Sequence, residues 1–306
     1  MSLGFLNEEV RKVNGLEVYY YDNIEDSDKA IVFIVHGLME HAARYNKLAE
    51  QLKENGFACA SLDLPGHGKT SNGLDGRGVW PDNGFEFCID SVRDGISTLK
   101  GKFTKPIILL GHSMGSFISL SYIEKYGDEI KGCILSGTND AQPALLLSAA
   151  KIIAAVQCAV SGSGKPSKLL NNMSFGSYNK PFQPNRTEFD WLSCDTSEVD
   201  KYIADDYCGF IPTSGLFKSF LNGLSEIYRS NLIELIPKDL PIFIFAGLMD
   251  AVGNFGEGPA KVAERLKNAG ILKVDLTLYE QARHECLNEI HAGDVMHNLI
   301  EFCKSL

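Results

Sequence analysis

The chain has 306 residues, 44% hydrophobic and 22% charged, with 29 Gly and 11 Pro, a balance that excludes disordered and collagen-like chains and allows a large core. Lys and Arg total 29 against 39 Asp and Glu, a formal charge of −10, and no basic cluster is dense enough to follow a phosphate backbone, so nucleic acid is not an expected partner. The 8 cysteines are scattered without a C-x-x-C pair or zinc-site spacing, and Glu8 and Glu9 stand where a signal peptide would carry its apolar stretch; the expectation is a cytoplasmic protein of reduced thiols, with no metal and no cofactor.

In chain order, two short runs at 10–13 and 16–21 flank Asn14-Gly15 and predict an N-terminal β-hairpin. Four apolar runs follow, at 30–35, 58–62, 106–110 and 131–135, each too short and too continuous for an amphipathic helix and suited to a buried parallel strand. Helical spacing fills the gaps at 42–55, 85–102 and 114–126, so strand and helix alternate as crossover connections require.

Alternation stops after Ser136-Gly137 for about a hundred residues, too long for a structureless loop, which predicts a helical insertion. It opens with an apolar helix at 144–160, shorter than a membrane span and interrupted by Lys151 and Gln157, hence a lid or cap helix. A loop rich in Ser, Gly, Asn and Pro at 161–186 and a helix at 216–228 come next. A strand at 241–246, a helix at 257–268, a strand at 274–279 and a closing helix at 287–302 complete an α/β fold whose sheet is mostly parallel. The expected organisation is a core over 1–137, a helical cap over 138–236 and the rest of the core over 237–306.

Gly111-His112-Ser113-Met114-Gly115 is a G-x-S-x-G string between a predicted strand and a predicted helix, the place where a strained turn lifts a serine above a sheet edge. A glycine-rich helix cap with an inert serine is the bland alternative. A nucleophilic serine needs a base and a group to orient that base. Asp250, after the first strand beyond the insertion, and His284, after the last strand, lie in the required chain order, whereas His291 and His297 fall in the closing helix. Backbone N–H groups must also face the developing oxyanion; Met114 supplies one, and Leu38, in the turn His36-Gly37-Leu38 after the third strand, is the candidate for the other. His36 and His41 lack a convincing third ligand for a metal.

Four longer motifs accompany these residues: 36–41 with Arg44-Tyr45, 63–68 with its Pro65-Gly66-His67-Gly68, the pentapeptide, and Arg283-His284-Glu285 with Leu287-Asn288-Glu289. Nearly end to end, the chain resembles α/β-hydrolases of the serine aminopeptidase S33 or hydrolase_4 group, which includes monoacylglycerol lipases and lysophospholipase-like esterases. The resemblance implies an eight-stranded, mostly parallel sheet with helices on both faces and a helical cap after strand 6. It implies Ser113 as nucleophile, Asp250 as acid, His284 as base, and Leu38 and Met114 as oxyanion donors. Met39 stands where the family usually has glycine, a long side chain expected to touch the substrate and reshape the acyl pocket. The expected activity is metal-independent hydrolysis of a small lipid-like ester through an acyl-enzyme, with a greasy cap able to touch a membrane surface transiently. An aminopeptidase in which acidic cap residues such as Asp205 and Asp206 hold an amine, and a non-catalytic binder of hydrophobic ligands, are the alternatives.

Overall fold

The computed structural model describes residues 4–306; residues 1–3, which open the segment read as carrying no export signal, lie outside the described residues. Strands β1 (Asn7–Val13) and β2 (Leu16–Asp22) form the expected hairpin, with Asn14 and Gly15 both at positive φ, 46° and 89°, as a two-residue turn between twisted strands requires. Then come β3 (Ile31–Val35), β4 (Ala58–Leu62), β5 (Ile107–His112), β6 (Gly132–Ser136), β7 (Ile242–Gly247) and β8 (Val274–Tyr279). They make one 8-stranded sheet in the order β1-β2-β4-β3-β5-β6-β7-β8, parallel from β4 to β8 and antiparallel at the β1/β2 edge.

The apolar strands read as continuous runs because each faces two cores. In β3, Ile31, Phe33 and Val35 pack on one side with residues of α2 (Gly84–Lys102), α3 (Met114–Tyr126) and α9 (Glu257–Asn268). Val32 and Ile34 point to the other side, against α1 (Asn46–Glu54) and α10 (Ala292–Lys304). A strand with helices on both faces has no solvent face to carry polar residues, so period two vanishes from its sequence. Each fully buried Val, Leu or Ile contributes roughly 1.5–3 kcal/mol. This is an α/β-hydrolase fold.

Between β6 and β7 lie α4 (Ala144–Ser161), α5 (Lys168–Phe175), α6 (Thr196–Ala204), α7 (Ser214–Leu224) and α8 (Ser230–Ile233). The segment at 161–186, expected as a loop, therefore contains α5: Ser167 caps it by accepting from Leu170 N, and Leu170 packs with Ala154 and Phe217. The closing helix begins at Ala292 rather than 287, after a 3-10 turn at Cys286–Asn288, and the expected helix at 216–228 stops at Leu224. Residues 42–45, expected as the start of a helix, form a 3-10 turn before α1.

Helix α4, expected to be shorter than a membrane span, is by length and composition long and apolar enough to cross one, with a mean hydropathy of 1.8 over 18 residues of which only 6% are buried. Ala154 faces inward, while Leu145, Ile152, Val156 and Val160 are all exposed, at positions that repeat along one face of a helix. The helices between β6 and β7 rest over the loops that follow β3 and β8. Gly209 N donates to Met39 O, Glu285 N to Leu192 O, and Ser193 Oγ to Asn288 O. All 8 cysteines are unpaired.

Candidate active site

Ser113 stands between β5 and α3 with φ 52° and ψ −119°, a conformation costing a non-glycine residue on the order of 1–3 kcal/mol. Its surroundings enforce that turn. Ser113 N donates to Ser136 O on the neighbouring strand at 2.8 Å, and Ser116 N and Oγ both donate to Ser113 O. The flanking glycines are there for space: a Cβ on Gly115 would lie 2.1 Å from Val35 O, and one on Gly111 would lie 2.3 Å from Gly115 O. Strand and helix can close to this distance only with hydrogen at both positions.

His284 and Asp250, 34 residues apart in the chain, meet in the loops after β8 and β7. Nδ1 of His284 donates to Asp250 Oδ2 at 3.0 Å, which leaves Nε2 as the acceptor nitrogen. Asp250 Oδ1 accepts from Val252 N, so the carboxylate is held on both oxygens. The imidazole is clasped between two rings, His112 at 4.9 Å and Trp191 at 5.3 Å between centroids. Burial opposes its protonation, but the Asp250 carboxylate, with Glu285 and Glu40 beyond it, raises its pKa above the ordinary 6.5. Two glycines stand close to Ser113 and His284. A Cβ on Gly37 would lie 3.2 Å from Ser113 Cβ, and one on Gly137 would lie 3.1 Å from the His284 ring.

Leu38 and Met114 each follow a residue at this junction. Among the described residues, neither backbone N–H has a protein acceptor. For Met114 that is the ordinary state of the first helical residue, and it leaves a donor beside the serine with the helix dipole behind it. Met39, next along, takes φ 61° although it is buried, which accounts for the glycine usual at this position. Its carbonyl accepts from Tyr202 Oη at 2.9 Å and Gly209 N at 3.0 Å. Gly37 N donates to Glu40 Oε1 at 2.6 Å, Tyr45 Oη donates to the same oxygen, and Arg44 bridges Glu40 to Glu285. Glu40, Arg44 and Glu285 lie in motifs visible in the sequence but without a task assigned to them there, as does His112 in the pentapeptide; Tyr202 carried no sequence signal.

His36 is a structural ring. Its Nδ1 donates to Gly37 O at 2.7 Å, its Nε2 accepts from Leu64 N at 3.0 Å, and burial drives its pKa down to about 3, so it stays neutral. His41 does gain neighbours that spacing did not reveal: its Nε2 hydrogen-bonds Asp205 Oδ2 at 2.8 Å, and Cys208 Sγ lies within 4.8 Å of both ligand atoms. Burial pushes the pKa of the Cys208 thiol up. The other oxygen of Asp205 accepts from Tyr207 N. His291 and His297 are exposed at the start and middle of α10, away from the serine. A cleft of about 690 Å³ opens beside Met39, lined by Phe175, Phe189, Trp191 and Ile211 together with polar residues that include Lys168, Asn172 and Glu188.

Comparison with known proteins places this arrangement in a family. The serine aminopeptidase, S33 (Hydrolase_4) family model matches residues 26–291. A rat (Rattus norvegicus) monoglyceride lipase is 29% identical over 231 residues, covering 72% of this chain and 65% of that protein. A Mycolicibacterium smegmatis monoacylglycerol lipase is 31% identical over 46% of this chain and 51% of its own length. The chain thus spans less than two thirds of the length of these curated relatives. Among solved structures, a thermostable carboxyl esterase from Bacillus coagulans superimposes with a TM-score of 0.90 at 26% identity, over 98% of both chains. A soluble variant of the Saccharomyces cerevisiae monoglyceride lipase superimposes with a TM-score of 0.76 at 21% identity, over 97% of this chain and 94% of that one, a likeness of fold. With the family model running from before β3 to the threshold of α10, the chain belongs to the serine aminopeptidase S33 family.

Proposed function

We propose that the protein is a serine hydrolase of carboxylic esters, acting on a lipid-type substrate such as a monoacylglycerol or a lysophospholipid. The observation that carries this reading is the His284–Asp250 pair beside the Ser113 elbow, with two unspent N–H groups at Leu38 and Met114. Ser113 Oγ attacks the ester carbonyl while His284 Nε2 takes its proton, and Asp250 holds the ring and favours the imidazolium that forms. The tetrahedral oxyanion accepts from the Leu38 and Met114 N–H groups, which need no reorganisation as charge develops. Collapse expels the alcohol, protonated by His284. Water, activated by the same imidazole, then releases the acid and regenerates Ser113.

The helices over 138–236 act as a cap that selects the substrate, and the cleft beside Met39 supplies apolar walls for an acyl chain. The exposed apolar face of α4 docks the cap on a lipid surface, from which the substrate enters. Relatives that are named as monoglyceride lipases, and one named as a phospholipase in Bacillus subtilis, support a lipid ester. Cleavage of amides with a free amine finds less support, because Asp205 is already held by His41 and Tyr207.

The test is a chain-length series of p-nitrophenyl esters beside a 1-monoacylglycerol, a lysophospholipid and an aminoacyl amide, with Ser113→Ala as blank. Esters of eight or more carbons should be preferred and the blank should be inert. Parent-level hydrolysis by Ser113→Ala would remove the nucleophile assignment, and a faster amide reaction would reverse the substrate assignment.

A further inference from the structure

The loop that carries the Leu38 N–H is held from two directions. From the core, Gly37 N donates to Glu40 Oε1, and Glu40 is itself fixed by Tyr45 and Arg44. From the helices between β6 and β7, both donors on the Met39 carbonyl arrive: the Tyr202 hydroxyl, 163 residues away in the chain, and the Gly209 N–H. Met39 is in the left-handed region at φ 61°, where only a glycine would rest without help. Two hydrogen bonds on its carbonyl hold the Met39–Glu40 peptide against relaxing, while His36 Nδ1 holds the carbonyl of the Gly37–Leu38 peptide that carries the Leu38 N–H, so Met39 fixes the downstream end of the turn in which that N–H sits.

The supports are built to hold still. Tyr202 is 2% exposed, with Arg44 over its ring at 4.8 Å and Phe189 against it at 5.1 Å. Gly209 takes φ 63°, and a Cβ there would come within 3.0 Å of Phe189 and 3.3 Å of Tyr202, so the backbone can approach Met39 only as glycine. Beside them the His41–Asp205 contact ties the same turn of the helical segment to the same loop of the core.

We infer that Tyr202 is a positioning residue for the oxyanion hole: its hydroxyl, with the Gly209 N–H, locks Met39 so that the Leu38 N–H faces the reacting carbonyl. This rests on the serine-hydrolase reading above and adds to it a dependence of the catalytic geometry on a seated cap. A cap that lifts takes away both donors and disorganises the oxyanion loop, so the chemical step is switched by cap seating as well as by substrate access.

Tyr202→Phe keeps the ring and removes only the hydroxyl. Steady-state kinetics on a soluble p-nitrophenyl ester, with rates expressed per Ser113 titrated by a fluorophosphonate, should show kcat lowered about tenfold and KM within twofold, less than the loss of a whole oxyanion donor. An alkyl trifluoromethyl ketone, whose tetrahedral adduct uses the oxyanion hole, should bind weaker by the same factor, while a fatty alcohol of equal length binds unchanged. Titration counts only folded sites, so a less stable variant remains interpretable. Unchanged kcat and ketone affinity, or equal losses for ketone and alcohol, would overturn the positioning role. Failure of the parent protein to be labelled at Ser113 would instead bring down the hydrolase reading and this inference with it.

Discussion

Arg44 forks onto the carboxylate of Glu285, at 2.6 and 2.7 Å, one residue beyond His284. Its Nη1 also reaches Glu40 at 2.7 Å, three residues after the glycine that faces Ser113. One guanidinium thus joins the loop bearing His284 to the loop bearing Leu38. Burial alone would raise the pKa of both carboxyls, but Arg44 outweighs it and holds them below the ordinary range.

Removing Arg44 strands two buried carboxylates, which costs more than the pair is worth as a net stabiliser. Arg44→Met should lose about 3–5 kcal/mol in urea unfolding at pH 7. The folded carboxyl pKa values are depressed, so this contribution is present above their ordinary 4.5 and is lost as pH falls through the folded values. The gap between parent and variant should therefore narrow toward acid pH. A gap that stays constant from pH 7 to pH 4 would show that the guanidinium acts by packing alone.

The His284–Asp250 pair makes a prediction of opposite sign for activity and stability. Burial resists protonation, but Asp250 raises the imidazole pKa above 6.5. Stability from this pair is full below about 6.5 and is lost as pH rises through the folded value. As the proposed general base, His284 must be neutral, so kcat/KM is expected to rise over that same interval. The acid limb of kcat/KM should have its midpoint above 6.5, and Asp250→Asn should lower kcat by about 10³–10⁴. An acid limb well below 6.5 in the parent would separate Asp250 from the base.

The strand-to-helix turn at Ser113 was legible because it is local: it is one pentapeptide whose two glycines answer to contacts with Val35 O and Gly115 O. Asp250 and His284 could be found because each follows a strand whose apolar run is plain. Helices α5 and α6 were not, because Lys168–Phe175 is rich in polar Asn and Ser, and Thr196–Ala204 buries only Val199 and Tyr202. The support of Met39 by Tyr202 was out of reach for the same reason, since no local pattern links residues 163 apart. The unusual residue at position 39 was visible, but its cause, a positive φ, belongs to the backbone.

Glu124, near the end of α3, is buried with neither carboxylate oxygen satisfied, and burial pushes its pKa up to about 7. The folded value lies above the ordinary one, so stability is full below pH 4.5 and declines as pH rises to about 7. Glu124→Gln removes the charge at constant shape and should gain about 1–3 kcal/mol at pH 8, with no gain near pH 4.5. Chemical denaturation at the two pH values checks this; an equal effect at both would assign the change to packing.

The face of α4 asks what covers it. Leu145 is 85% exposed and Val160 is 79% exposed, with Ile152 and Val156 between them on the same side. So continuous an apolar stripe is rarely left bare in water, and each such side chain gains roughly 1.5–3 kcal/mol when it leaves water. Leu145→Ser with Val160→Ser removes contacts with nothing in the fold, so stability should hold within about 0.5 kcal/mol. Binding to phosphatidylcholine vesicles, measured by co-sedimentation, should weaken at least about tenfold, since loss of a single such side chain exceeds the roughly 1.4 kcal/mol that factor represents. Hydrolysis of a long-chain monoacylglycerol presented in those vesicles should fall with it, while kcat/KM on dissolved p-nitrophenyl butyrate stays at the parent value. Equal losses on both substrates would mean that the stripe shapes the pocket, and unchanged vesicle binding would mean that another surface meets the lipid.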